Sequence, residues 1–162
     1  MRTQLTAARA ITLASVSALL FACTAVEPPG EFSTALGKLV RLDKVPEVDL
    51  ANVLALDWDE MFAFGPYSIR ERNCQALQLG WLRCRTTLPA EVNDGEFVLV
   101  FRSNSEVVHV EHHRRWNGDL SSQTSPRPQP IVRSAAKFSV KAISSRVPEA
   151  EQWYQLEYRA PN

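Results

Sequence analysis

The feature that most constrains the fold is a pair of apolar runs joined by a short polar link. Phe97 to Arg102 reads FVLVFR, Glu106 to Arg114 reads EVVHVEHHR, and Ser103-Asn104-Ser105 lies between them. Both runs are rich in β-branched and aromatic residues, which suit a pleated, half-buried surface. Strands joined by so short a link must run antiparallel, so the chain is committed to an antiparallel hairpin. If the loop is the pair Asn104-Ser105, Phe101 stands opposite Val108 and Leu99 opposite Val110. One face of the hairpin is then apolar throughout. The other face carries His109, Glu111 and His113 with Val98, Val100, Arg102 and Arg115, a partly wet surface. Asn117-Gly118 ends the unit.

The rest of the chain has to cover that apolar face. Its 162 residues, 45% apolar and 22% charged, suffice for one domain with a real core and not for two. Phe32 to Leu42 carries apolar residues at 32, 35, 36, 39 and 40, a helical spacing that Pro46 interrupts. Val48 to Leu56 has room for a helical turn or two. Trp58-Asp59-Glu60-Met61-Phe62-Ala63-Phe64 is aromatic-rich like a strand, and Gly65-Pro66 turns the chain. Ser68-Ile69-Arg70-Glu71 matches a capping box, which predicts a helix from about Ile69 to Leu79, closed by Gly80 and followed by an extended stretch. Asn93-Asp94-Gly95 is a turn. Asp119 to Pro130, with three prolines and several Ser, Gln and Thr, reads as a mobile loop. Lys137 to Ile143 and Trp153 to Arg159 read as the last strands. Two helices and four or five strands in hairpin order define an α+β domain: a small antiparallel sheet with one or two helices packed on it.

The first 22 residues belong to a different kind of segment. Arg2 and Arg9 form a positive start without any acid, and Ile11 to Ala22 is an apolar run of 12 residues. At about 1.5 Å per residue such a run is too short for a ~30 Å hydrocarbon core and fits a signal peptide. It ends in Leu20-Phe21-Ala22-Cys23, which resembles the lipobox of bacterial lipoproteins. The resemblance implies a signal peptide over 1–22, cleavage before Cys23, and acyl chains on that cysteine that hold the protein in the bilayer. Two or three chains on one residue anchor stably where one does not. Thr24, in place of Asp, implies sorting to the outer membrane, facing the periplasm. Residues 23–31, with Pro28, Pro29 and Gly30, make a lipidated tether, and 32–162 is the domain.

With Cys23 assigned to lipid, Cys74 and Cys84 remain as an even pair in an oxidising compartment, and a structural disulfide is expected. A redox or metal pair calls for a tighter Cys-x-x-Cys spacing, and two unpaired buried thiols are the remaining reading. Beyond the leader the chain holds 16 Lys and Arg against 18 Asp and Glu, a net charge of −2. That balance gives no broad attraction to nucleic acid.

The Trp58-Asp59-Glu60 block, Gly65-Pro66-Tyr67 and the hairpin together resemble a group of small uncharacterised bacterial lipoproteins, over about Asp57 to Asp119. The resemblance bears on fold and address. Three side-chain groups have the residue types for chemistry. His109, Glu111 and His113 alternate on one strand face, as metal ligands can, although a solvated face has the same pattern. Asp57, Asp59 and Glu60 flank Trp58 as an acid–base group would, or as charges at a strand entrance. Arg70 and Arg83, with Tyr67 and Trp81 near them in sequence, make a candidate partner surface. There is no Gly-rich phosphate loop, Gly-x-Ser-x-Gly or His-Glu-x-x-His, so no cofactor is expected. The expectation is a non-enzymatic binding or structural module anchored to the envelope, its partner an envelope protein or wall component. The alternative is a small envelope hydrolase using the carboxylates near Trp58 or the hairpin histidines.

Overall fold

The computed structural model describes residues 28–124, 128–143 and 152–159. The leader, the lipobox and Cys23 lie outside them. In chain order the elements are α1 (Glu31–Gly37), β1 (Glu47–Asp49), β2 (Glu60–Phe64), α2 (Arg70–Ala76), α3 (Trp81–Thr87), β3 (Glu96–Ser103), β4 (Glu106–Arg114), β5 (Ile131–Val132), β6 (Lys137–Ile143) and β7 (Trp153–Tyr158). The fold is α+β. Its strands form two antiparallel sheets rather than one: β1-β6-β7, and β4-β3-β2-β5.

The hairpin closes through the expected pair, with φ of 49° at Asn104 and 66° at Ser105. Both values being positive is the turn geometry whose twist matches the flanking strands. Ser103 pairs with Glu106 and Arg102 with Val107, but Phe101 then pairs with His109, so Val108 is an extra, bulged residue. A one-residue shift exchanges the two faces of everything beyond it. Val98 and Val100 therefore share a face with Val110, while Phe97, Leu99 and Phe101 share the other with His113, Glu111 and His109. The predicted register fails at this point, and with it the wet face.

Both faces of the central strand are in fact covered, and β3 is buried from Glu96 to Arg102. A strand enclosed on both sides carries an unbroken apolar run, as FVLVF does. On one side Phe97, Leu99 and Phe101 join Phe32, Leu36, Trp58, Phe138 and Leu156 in the main core under α1 and the three-stranded sheet. Phe101 is its centre, edge-on to Phe32 at 5.1 Å and to Trp58 at 5.6 Å. Such contacts add about 0.5–1.5 kcal/mol each to the burial itself. On the other side Val98 and Val100 meet Phe62, Phe64, Leu77 and Leu88 beneath α2 and α3.

The Cys74–Cys84 disulfide is formed, with Cα atoms 5.6 Å apart. It joins two helices, not a helix and a strand. Gly80 is the residue before α3, not the end of α2. The left-handed residue that ends α2 is Gln78, with φ of 55°. Leu79 N–H donates to the Cys74 carbonyl at 2.9 Å and Gln78 N–H to that of Gln75 at 3.1 Å, the paired closure of a Schellman end. Ser68 does not cap α2 through the predicted box. Ile69 precedes the helix without a side-chain cap, and Ser68 Oγ accepts from Asn73 instead. The predicted helix at Phe32 is α1, which continues into a wider turn over Lys38–Leu42. Val48 to Leu56 gives β1 and one short turn at Leu50–Asn52.

The segment read as a mobile loop from Asp119 begins as fixed structure. Asp119 N–H donates to Tyr154 O at 2.8 Å and Leu156 N–H to Asp119 O at 2.9 Å. Leu120 is fully buried, and a short helical turn spans Ser121–Gln123. Polar composition hid this, because the polar side chains bond inward.

Candidate functional site

The bulge turns the histidine strand face into the protein, and the result is a buried polar network. Glu111 is 6% exposed. Its Oε1 accepts from Ser33 N–H at 2.8 Å and its Oε2 from Phe32 N–H at 3.1 Å. These are unpaired donors in the first turn of α1, so Glu111 caps that helix from 78 residues away in sequence. Gly30, the residue before α1, has no side chain with which to cap. A Cβ there would stand 2.4 Å from Glu111 Cδ, so the carboxylate occupies the space a side chain would need. His109 Nε2 lies 2.9 Å from Glu111 Oε2, with its ring against Phe101.

His113 does not join this pair. It is fully buried, and its Nε2 lies 2.8 Å from the Gly118 carbonyl. A carbonyl only accepts, so Nε2 carries the proton and Nδ1 is left as an unpartnered acceptor. Burial holds the His113 pKa below the ordinary histidine value, against the opposing pull of the Gly118 bond and of Glu111 and Asp119. Among the described residues no group of three or more His, Cys, Asp or Glu is arranged to hold a metal ion.

His109 borders a groove of about 630 Å³ between the chain at Pro28–Glu31 and the end of α3 at Thr86–Pro89. His109 combines an orienting carboxylate with an open side. That geometry can position a proton, as a base with its partner does.

The three acids near Trp58 are dispersed. Asp57 Oδ1 lies 3.1 Å from Arg133 Nη1 with its own side chain almost wholly exposed. Asp59 Oδ2 accepts from Asn104 N–H at 2.6 Å and so braces the hairpin turn. Glu60 Oε1 lies 3.1 Å from Arg102 Nη1 and faces a different cavity.

The candidate partner surface is spread over the helix pair. Arg70, the first residue of α2, donates through Nε to Pro89 O at 3.1 Å, just beyond the end of α3. Trp81 and Arg83 lie at the start of α3. Arg83 pairs with Glu106 beside the hairpin turn, which raises the arginine pKa and lowers that of the glutamate. Arg85 stacks on the Trp81 ring at 5.2 Å. Tyr67, Trp81 and Leu82 are each about 70% exposed.

Two centres were not evident in the sequence. Asp119 accepts from Arg115 Nη2 and Trp153 Nε1, both at 2.8 Å, and from Ser121 N–H at 2.8 Å. Burial opposes its charge, but the bonds from Ser121, Arg115 and Trp153 outweigh that and hold its pKa below the ordinary value. The other is Arg102, buried at 8% exposure. A charged residue at the end of a strand run, as Arg102 is, or at the start of a polar loop, as Asp119 is, gives no signal of burial in the sequence.

The chain matches no family model, no curated protein and no solved structure.

Proposed function

We propose that the chain is a membrane-anchored envelope lipoprotein whose domain is a non-enzymatic binding module. In this reading acyl chains on Cys23 hold it in the outer membrane, facing the periplasm, and an envelope protein docks on the helix pair at Tyr67, Arg70, Trp81 and Arg83. The observation that carries the docking surface is exposure on a stapled support. Trp81 and Leu82 stand in water on α3, which a disulfide ties to α2, and Tyr67 is exposed shortly before α2. Aromatic and arginine side chains dominate binding hot spots, and a pre-ordered support reduces the ordering penalty of association.

Two measurements test the two halves. Metabolic labelling with palmitate is expected to tag the wild type and not Cys23→Ser; equal labelling of both would remove the anchor. Crosslinking in intact cells, with a tag on Asn162, is expected to capture one saturable envelope protein. Trp81→Ala with Leu82→Ala should lose that capture at unchanged melting temperature. Undiminished capture by the double variant would exclude this surface, and capture of wall polymer alone would replace the partner class.

A hydrolase reading rests on the His109–Glu111 pair beside its groove. It requires that His109→Ala abolish any phenotype of the gene, whereas the binding reading requires that the phenotype persist.

A further inference from the structure

A cavity of about 1050 Å³ opens between α2, the Glu60 end of β2, Arg102 of β3 and the segment Pro128–Pro130. Its volume is that of a small-ligand site. Arg102 is built into its wall. Nη1 lies 3.1 Å from Glu60 Oε1, Nη2 donates to Ser105 O at 3.1 Å, and Nε has no partner. Nε is itself sealed from solvent, so Arg102 serves the cavity as a fixed, buried positive charge in its wall rather than as a free donor.

The lining decides the class of ligand. Glu60 matches the charge of Arg102, whereas Arg72, exposed on α2, makes no ion pair among the described residues. One surplus positive charge suits a monoanion. Gln75, Gln78 and Gln129 also face the cavity, and each amide both donates and accepts. A phosphate dianion carries one charge more than this surplus, and its second charge would meet the Glu60 carboxylate. A sugar ring favours a bare aromatic face, but Phe62 is almost fully buried, with the Arg102 guanidinium 5.8 Å from its ring centre. A carboxylate next to amides meets every condition.

We propose that this cavity binds the carboxylate end of a short peptide. Arg72 takes the carboxylate, the three glutamines pair with the peptide amides, and Arg102 shields the approaching anion from Glu60. None of these residues belongs to the helix-pair surface above, so the two proposals stand or fall separately.

The test is calorimetry on the full chain in detergent, with N-acetyl-dialanine as the free acid and as its C-terminal amide. The acid is expected to bind saturably with a Kd of about 1 mM or tighter, and the amide about tenfold more weakly. Arg72→Gln should abolish the preference for the acid, and Gln75→Leu should weaken both probes alike, each with an unchanged melting temperature because both residues are exposed. Equal binding of acid and amide by the wild type, or no binding of either, would overturn the proposal. So would unchanged binding in both variants, or stronger binding of inorganic phosphate or N-acetylglucosamine than of the acid.

Discussion

Glu111 illustrates how a residue of catalytic type becomes structural. Its two oxygens hold the first-turn donors Phe32 N–H and Ser33 N–H together with His109, and its bulk excludes a side chain at Gly30. Glu111→Gln keeps the shape but replaces one oxygen by an NH₂ that faces a donor. The lost bonds involved a charged acceptor, so the variant is expected to be about 1.5–3 kcal/mol less stable in urea unfolding. Gly30→Ala drives a methyl into the same carboxylate and should lose about 1–3 kcal/mol for the overpacking. The two variants act on one contact. Their double variant is therefore expected to lose less than the sum, and full additivity would mean that Glu111 and Gly30 are not coupled. None of this was legible in the sequence. An alternating His-x-Glu-x-His says that the three residues share a face, not which face is buried.

At the scale of elements, much of the order along the chain was legible and the exceptions have local causes. β2 and the hairpin follow from runs rich in aromatic and β-branched residues, and α1 from helical spacing, because each reflects surface that must be buried. The face assignment failed at one residue, Val108, since a bulge leaves no mark in apolar alternation. The end of α2 failed because Gly80 is the usual left-handed residue and Gln78 is not, yet Gln78 takes that role. A side chain in this conformation is strained by about 1 kcal/mol relative to glycine. Gln78→Gly is therefore expected to stabilise the protein by about 0.5–1 kcal/mol, less the added freedom of the unfolded chain. A loss of stability in the urea midpoint would mean that the Gln78 side chain is itself held. The candidate partner residues Tyr67, Arg70, Trp81 and Arg83 were legible as types, but not their spacing in space. That spacing depends on α3, where the sequence pattern predicts an extended stretch.

At the scale of the molecule, the sheet β4-β3-β2-β5 is enclosed by helices on one side and by α1 with the second sheet on the other. Enclosure makes its buried ionisable groups sensitive to acid. His113 is held neutral by burial, so its folded pKa lies below 6.5, the ordinary value. Below pH 6.5 the unfolded chain takes up a proton that the folded chain refuses, and stability falls as the pH drops towards the folded value. Asp119 has a folded pKa below its ordinary 3.8, so its contribution is complete above that value and is lost as pH falls through the folded one. Both groups act in the same direction. Unfolding free energy is expected to decline from pH 6.5 downward by up to about 1.4 kcal/mol per pH unit from His113 alone. His113→Gln has no ring to protonate, and its urea curves between pH 7.5 and 4.5 should lack that share of the slope. His109 and His112 are present in both proteins, so the difference isolates His113. Identical slopes would mean that water reaches the ring at 113 before the domain unfolds, and that the enclosed sheet opens locally under acid.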